Sequence, residues 1–156
     1  MPTIDLGVDF GTVQEMDKFP LLPNGVHPFV VEKIELTQTG PNSKTAGRPM
    51  LKWTLGFNHP DNGQHLILTY MTVLPWIAPG TTEMDVSGVG QLVAICKATG
   101  QPWAGQKLDP DIYIGRGGSA NIIQRKRNKQ NEEGKWVEDP NSDPQNDFDR
   151  NKPFVY

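Results

Sequence analysis

Apolar and polar side chains alternate most cleanly over residues 51–58, where Leu51, Trp53, Leu55 and Phe57 are separated by Lys52, Thr54, Gly56 and Asn58. A period of two puts the four apolar side chains on one face of a strand. Pro60, Asp61, Asn62 and Gly63 follow, a turn sequence whose glycine supplies positive φ. Residues 66–73 return as a second strand, so residues 50–73 are expected to form a hairpin. Upstream, residues 26–36 are rich in β-branched side chains, yet Phe29, Val30 and Val31 interrupt the alternation. That interruption predicts a bulge, or a bent strand serving two sheets. Residues 37–49 form a polar loop, with Gly40, Pro41, Asn42, Gly47, Arg48 and Pro49 breaking any regular element.

Beyond the hairpin the period changes. Val89, Leu92, Val93 and Cys96 fall at i, i+3, i+4 and i+7, one apolar stripe of a short helix with Ser87 as its N-cap and Gly100 as its stop. Residues 112–114 read as a short strand or the lead-in to one, residues 120–127 as a further strand, residues 128–134 as a turn and residues 135–137 as the start of the last strand. Three strands, a helix and two strands is the element order of an OB-fold, a five-stranded, partly open barrel that binds oligonucleotides through one sheet face and two loops. The expected fold is therefore mainly β. It comprises an arm over residues 1–24 that Phe10 and Phe19 could anchor, an OB-fold domain over residues 25–137, and a flexible acidic tail over residues 138–156.

Charge sharpens this picture. The formal net charge is −3, but residues 116–129 carry Arg116, Arg125, Lys126, Arg127 and Lys129 and no acid. Residues 20–137 hold twelve bases against nine acids, between two acidic ends. A basic body of this kind points to a polyanion, with nucleic acid the first candidate. Hydrophobic content of 36%, with 14 prolines and 16 glycines, assigns much of the length to loops. One cysteine excludes an internal disulfide framework and gives no zinc-site spacing. No signal peptide and no membrane span is readable, so a cytoplasmic protein is expected.

Several segments together resemble a family of small phage-encoded proteins taken to be OB-fold single-stranded DNA-binding proteins of replication and recombination modules. They are the Gly25-initiated first strand with Val26, His27, Pro28 and Phe29, and the Gly/Lys/Arg loop running into Met50, Leu51, Lys52 and Trp53. Ala98, Thr99 and Gly100 closing a helix, and Gln124 to Arg127 preceding the Trp136 strand, complete the set. The likeness spans residues 25–137. It implies binding of single strands with little sequence preference and supplies no catalytic residue.

Single-strand binding needs cations that follow phosphates and flat rings on which bases stack. The candidate cations are Lys44 and Arg48 in the first long loop, Lys52 on the second strand, Arg116, and the run Arg125, Lys126, Arg127 and Lys129. In an alternating strand, Arg125 and Arg127 share a face that Lys126 opposes, unless the strand ends there and Lys126 lies in the turn. The plainer alternative is a solubilising hairpin with a charged edge. Trp136 beside the basic turn is the leading stacking candidate and Tyr70 a second, although the parity of Tyr70 and Trp53 with apolar neighbours favours the core. The C-terminal end, with Asp147, Asp149, Pro153 and Phe154, is similar to the acidic tails through which such proteins recruit replication or recombination partners, but Val155 and Tyr156 follow, and Arg150 and Lys152 interrupt the acids.

Catalysis is not expected. His27, His59 and His65 are dispersed and read as surface residues, and Gly115 to Ser119 lacks the lysine and following helix of a nucleotide loop. No cofactor or metal is implied. Two rival functions stay open at this point: a protein–protein module such as a phage structural or host-inhibitory protein, and RNA in place of DNA.

Overall fold

The computed structural model describes residue 3 and residues 21–156 except 104 and 127; the proposed anchors Phe10 and Phe19, and Arg127, lie outside the described residues. In chain order the elements are β1 (Gly25–Gln38), β2 (Pro49–Asn58), β3 (His65–Val73), α1 (Gly90–Ala98), a 3-10 turn (Pro110–Tyr113) and β4 (Gly117–Arg125). Four short strands follow, β5 (Asn128–Gln130), β6 (Trp136–Glu138), β7 (Gln145–Phe148) and β8 (Phe154–Val155). The fold is mainly β with one α-helix among the described residues, placed between β3 and β4 as expected.

One antiparallel sheet of six strands runs β3-β2-β1-β4-β7, with β8 also paired to β4, and it does not close into a barrel. β1 is the strand that bends. Its first part, from Gly25 to Val30, pairs with β4. Its later part, from Val30 to Gln38, pairs with β2, and the register slips between Val31 and Lys33. Gly115 and Arg116 bridge that bulge: Gly115 N–H donates to Val31 O at 2.7 Å and Val31 N–H to Arg116 O at 2.9 Å. The interrupted alternation at residues 29–31 is thus a strand changing partners, as its sequence suggested.

The β2–β3 hairpin forms as expected, with Trp53 opposite Tyr70 and Leu55 opposite Leu68. Leu51, Trp53, Leu55 and Phe57 all enter the core, and Gly63 turns the chain at φ +71°. Trp53 donates its indole N–H to Thr72 Oγ1 at 2.9 Å, which satisfies a polar group in a fully buried setting. α1 caps the open end of this core with Leu92, Ile95 and Cys96. Two details of the helix differ from expectation. Val93 faces outward and Ile95 inward, and the helix starts at Gly90 without a side-chain cap, because Ser87 spends its hydroxyl on Asp85 Oδ1 at 2.6 Å.

Residues 112–114 are not a strand. Pro110 opens a 3-10 turn capped by Asp109, which accepts from Asp111 N–H at 3.1 Å. The turn delivers Tyr113 into the core, edge-on to Trp53 with centroids 5.7 Å apart. Burial pushes the Tyr113 phenol up, with a smaller contribution from its hydrogen bond to Cys96.

Residues 21–24 and the acidic C-terminal segment are both held in the fold. Leu22 is fully buried, its N–H donates to Asn146 Oδ1 at 2.9 Å, and its carbonyl accepts from Gln124 Nε2 and Asn146 Nδ2. His27 and His59, expected at the surface, are buried and bond the carbonyls of Pro23 and Leu21. Residues 21–24 are therefore a strap of the fold, clamped across β4 and β7. At the other end, β7 and β8 add to β4, and Phe148 and Phe154 pack on Phe29, Phe57 and Tyr70 with centroids 4.9–6.4 Å apart. The acidic end is a structural part of the sheet. Two aromatic side chains and the unpaired edge of β4 outweigh the solvation of its carboxylates.

Close approach explains Gly118. A Cβ there would lie 2.7 Å from the Ala98 carbonyl oxygen and 2.7 Å from Phe29 Cζ. Neither the backbone at the end of α1 nor a ring in the core can yield cheaply. Gly118→Ala is expected to cost about 1–3 kcal/mol, typical of overpacking, read as a lower urea midpoint; an unchanged midpoint would show that β4 and α1 are less tightly apposed.

Candidate nucleic-acid interface

The sheet curls so that its edge strands β3 and β7 face each other across a cleft. Inside it, Tyr70 of β3 meets Phe148 of β7 at 5.0 Å and Phe154 of β8 at 4.9 Å, which forms an aromatic floor. Burial pushes the Tyr70 phenol up to about 12, so it stays protonated at physiological pH. One end of the cleft, about 490 Å³, is lined by Leu68 and Thr69, by Arg125, Lys126 and Asn128, and by residues 145–148. A second volume of about 510 Å³ continues from Thr69, Asp147 and Phe148 toward the start of α1.

β4 ends at Arg125, and Lys126 lies just outside the strand. That break in alternation lets two adjacent cations line one cleft. Neither cation is idle. Arg125 forms an ion pair with Asp147, its near neighbour on β7, and Lys126 Nζ donates to the Pro140 carbonyl at 2.9 Å.

β5 and β6 form a two-stranded ribbon that pairs only with itself among the described residues. Its turn is held by Asn131, whose Oδ1 accepts from the N–H groups of Glu133 and Lys135, each at 2.9 Å. Lys129 stands opposite Val137 and Gln130 opposite Trp136. Directly opposed residues share a face and neighbours alternate. Asn128, Gln130, Trp136 and Glu138 therefore occupy one face, and Lys129 and Val137 the other. Asn128, on the same ribbon face as Trp136, is among the residues that line the cleft. Trp136 is 69% exposed. Lys129, on the reverse face, lies 3.6 Å from Asp139.

The remaining expected cations do not converge here. β4 runs antiparallel to β1, and its end passes Gly25, whereas the loop with Lys44 and Arg48 follows Gln38. The two groups sit at opposite ends of β1, roughly 40 Å of strand apart at 3.3 Å per residue. No single furrow between the two loops is built. Lys44 is exposed in its loop. Arg48 is 2% exposed and serves the fold. Its Nε donates to Leu74 O at 3.0 Å and its Nη2 to Ser87 O at 2.7 Å, and Nη1 lies 3.4 Å from Asp85 Oδ2. Hydrogen bonds from the Ser87 side chain and backbone, helped by Arg48, hold the Asp85 carboxyl below its usual range.

Lys52 lies on the outer face of β2, opposite Glu35 and Met71. That face has no aromatic platform from these strands, because Trp53 and Tyr70 both turn inward. Arg116 is exposed and donates from Nε to Ile112 O at 3.0 Å. The four residues read as a partner-recruiting tail are engaged in the fold. Asp147 pairs with Arg125, Asp149 N–H donates to Asn121 O at 2.9 Å, and Pro153 O accepts from Asn121 N–H at 2.8 Å. Phe154 is 1% exposed, so it cannot serve as a free hydrophobic terminus.

Sequence reasoning missed Asn128 and Gln130 on the Trp136 face and Asp147 within the cleft. Counting outward from the Asn131–Gly134 turn would have recovered the parity of the first two. Among the described residues no group of three or more metal-ligating side chains occurs, and no helix is long and apolar enough to cross a membrane. Comparisons with protein-family models, curated proteins and solved structures return no match.

Proposed function

We propose that this chain binds single-stranded DNA with little sequence preference, in the cleft between β3 and β7 and along the ribbon face that carries Trp136. One observation carries the reading: Arg125 and Lys126 line the same cleft as Asn128, whose ribbon face presents a largely exposed tryptophan. Cations beside an aromatic platform are the two elements that sequence-tolerant strand binding uses. The alternative, a solubilising hairpin, accounts for the charges but not for an indole left in water beside them.

An OB-fold reading supports the same site. Taken around the curled sheet, the order β3-β2-β1-β4-β7 is that of an OB-fold in which β7 is the fifth strand, with a helix between the third and fourth strands and the barrel open between the third and fifth. On this reading the β5–β6 ribbon elaborates the loop between the fourth and fifth strands. Such a binder would serve replication or recombination, the setting that the resemblance to phage-encoded proteins implies.

Trp136 supplies the test. Titration with oligo-dT of about 30 nucleotides should quench intrinsic fluorescence, since stacking contributes about 1–3 kcal/mol per base. Trp136→Phe should abolish most of the quenching while Trp53, buried and bonded to Thr72, stays silent. Equal quenching in the variant would remove Trp136 from the site.

A further inference from the structure

β3 ends the order β3-β2-β1-β4-β7, so its far edge has no partner strand among the described residues. An unpaired edge presents a row of backbone N–H and C=O groups that another strand can join. The side chains of β3 are incompletely covered in the same way. On β2, Leu51, Trp53, Leu55 and Phe57 are at most 3% exposed, whereas Leu66, Leu68 and Tyr70, on the same inner face of β3, are only half-buried.

The chain itself carries a segment with the pattern to fill that edge. Residues 4–10, outside the described residues, alternate without a break: Ile4, Leu6, Val8 and Phe10 are separated by Asp5, Gly7 and Asp9. A period of two over this length is the pattern of a strand with one apolar face. The continuous described chain takes up at Leu21, whose carbonyl accepts from His59 Nε2 at 3.0 Å in the β2–β3 turn, and Leu22 N–H donates to Asn146, a lining residue of the cleft. Leu21 therefore stands at the His65 end of β3. The chain from Phe10 to Leu21 can reach up to about 36 Å, against roughly 30 Å for the whole of β3. Such a connection lets residues 4–10 run antiparallel to β3, with Phe10 toward His65. Asp147 and Asp149 are among the lining residues of the cleft, so the fit rests on apolar side chains and backbone groups and not on charge.

We propose that residues 4–10 add an antiparallel strand to the free edge of β3, with Ile4, Leu6, Val8 and Phe10 turned into the cleft over Leu66, Leu68 and Tyr70. The docking does not rest on the nucleic-acid reading. Its consequence does: the added strand fills the space assigned to single-stranded DNA, so the segment is a tethered competitor that leaves when an oligonucleotide enters.

Hydrogen exchange of the full chain without nucleic acid, read peptide by peptide by mass spectrometry, tests the docking. Residues 4–10 and β3 should both be protected. Leu6→Ser combined with Val8→Ser should speed exchange at both by at least about tenfold. Exchange in β1 and β2 should stay unchanged, which shows that the body remains folded, and Asp5→Asn, on the opposite face, should alter nothing. Residues 4–10 exchanging as an unstructured peptide in the parent, or a β3 indifferent to the double serine variant, would overturn the proposal. Protection that fades on dilution would also overturn it, because a second copy would then supply the strand. Anisotropy with labelled oligo-dT reads the consequence: the double serine variant should bind roughly threefold to tenfold tighter than the parent, since the binding-competent fraction rises. Equal affinities beside the expected exchange would refute the competition alone, and a parent that binds no oligo-dT would refute the nucleic-acid reading while the docking stands.

Discussion

Arg48→Ala is expected to lower folding stability by about 3 kcal/mol, because it removes the donor that the Leu74 and Ser87 carbonyls share and opens a void where a side chain only 2% exposed had been. In a chain of 156 residues that loss corresponds to a fall in Tm of roughly 6–12 °C. Arg48→Lys should recover little, since a single ammonium cannot reproduce a fork that reaches both Leu74 and Ser87. Thermal unfolding by circular dichroism reads the effect. The same variant separates two roles for this arginine. A phosphate contact would give a near-native Tm and a shallower salt dependence of strand binding; a structural clamp gives the reverse.

Arg125→Gln combined with Lys126→Gln should weaken single-strand binding at least about tenfold at low salt and flatten the plot of log affinity against log salt by about 1.4, two phosphate contacts at about 0.7 each. All sequences should suffer alike, because phosphates carry no base identity. The opposite change is expected from Asp147→Asn. That carboxylate already holds the Arg125 guanidinium, so an incoming phosphate must displace it. Removing the competitor should tighten binding roughly twofold to fivefold, the scale of a partly exposed ion pair. Fluorescence anisotropy across a salt series measures both. An Asp147→Asn protein that binds more weakly would mean that Asp147 supports the site rather than opposing it.

Strong local periodicity made the centre of the fold legible. The alternation at residues 51–57, the Pro60–Gly63 turn and the interrupted run at residues 29–31 each correspond to one structural event, and Trp53 and Tyr70 turn inward as their parity required. The ends were illegible for a physical reason. β7 contains a single core side chain, Phe148, among Gln145, Asn146 and Asp147, and owes its existence to the edge of β4 rather than to its own pattern. Leu22 likewise becomes a core residue through Gln124 and Asn146, more than a hundred residues away.

Charge counting located the basic stretch but not its geometry. It could not show that Arg48 is buried, that Lys129 and Trp136 lie on opposite faces of a ribbon, or that Asp147 and Asp139 answer Arg125 and Lys129. Those facts depend on register. They replace an expected furrow between two loops with a cleft between two strand edges.

Binding of a labelled oligo-dT of about 30 nucleotides to the full chain, followed from low to moderate salt, tests the central claim most directly. Saturable binding should weaken linearly on a log–log scale with a slope of about −2 to −3, for three or four phosphates at about 0.7 each, and the double glutamine variant should be the shallower of the two. Failure to bind at low salt, or an affinity indifferent to salt and to those two cations, would contradict it.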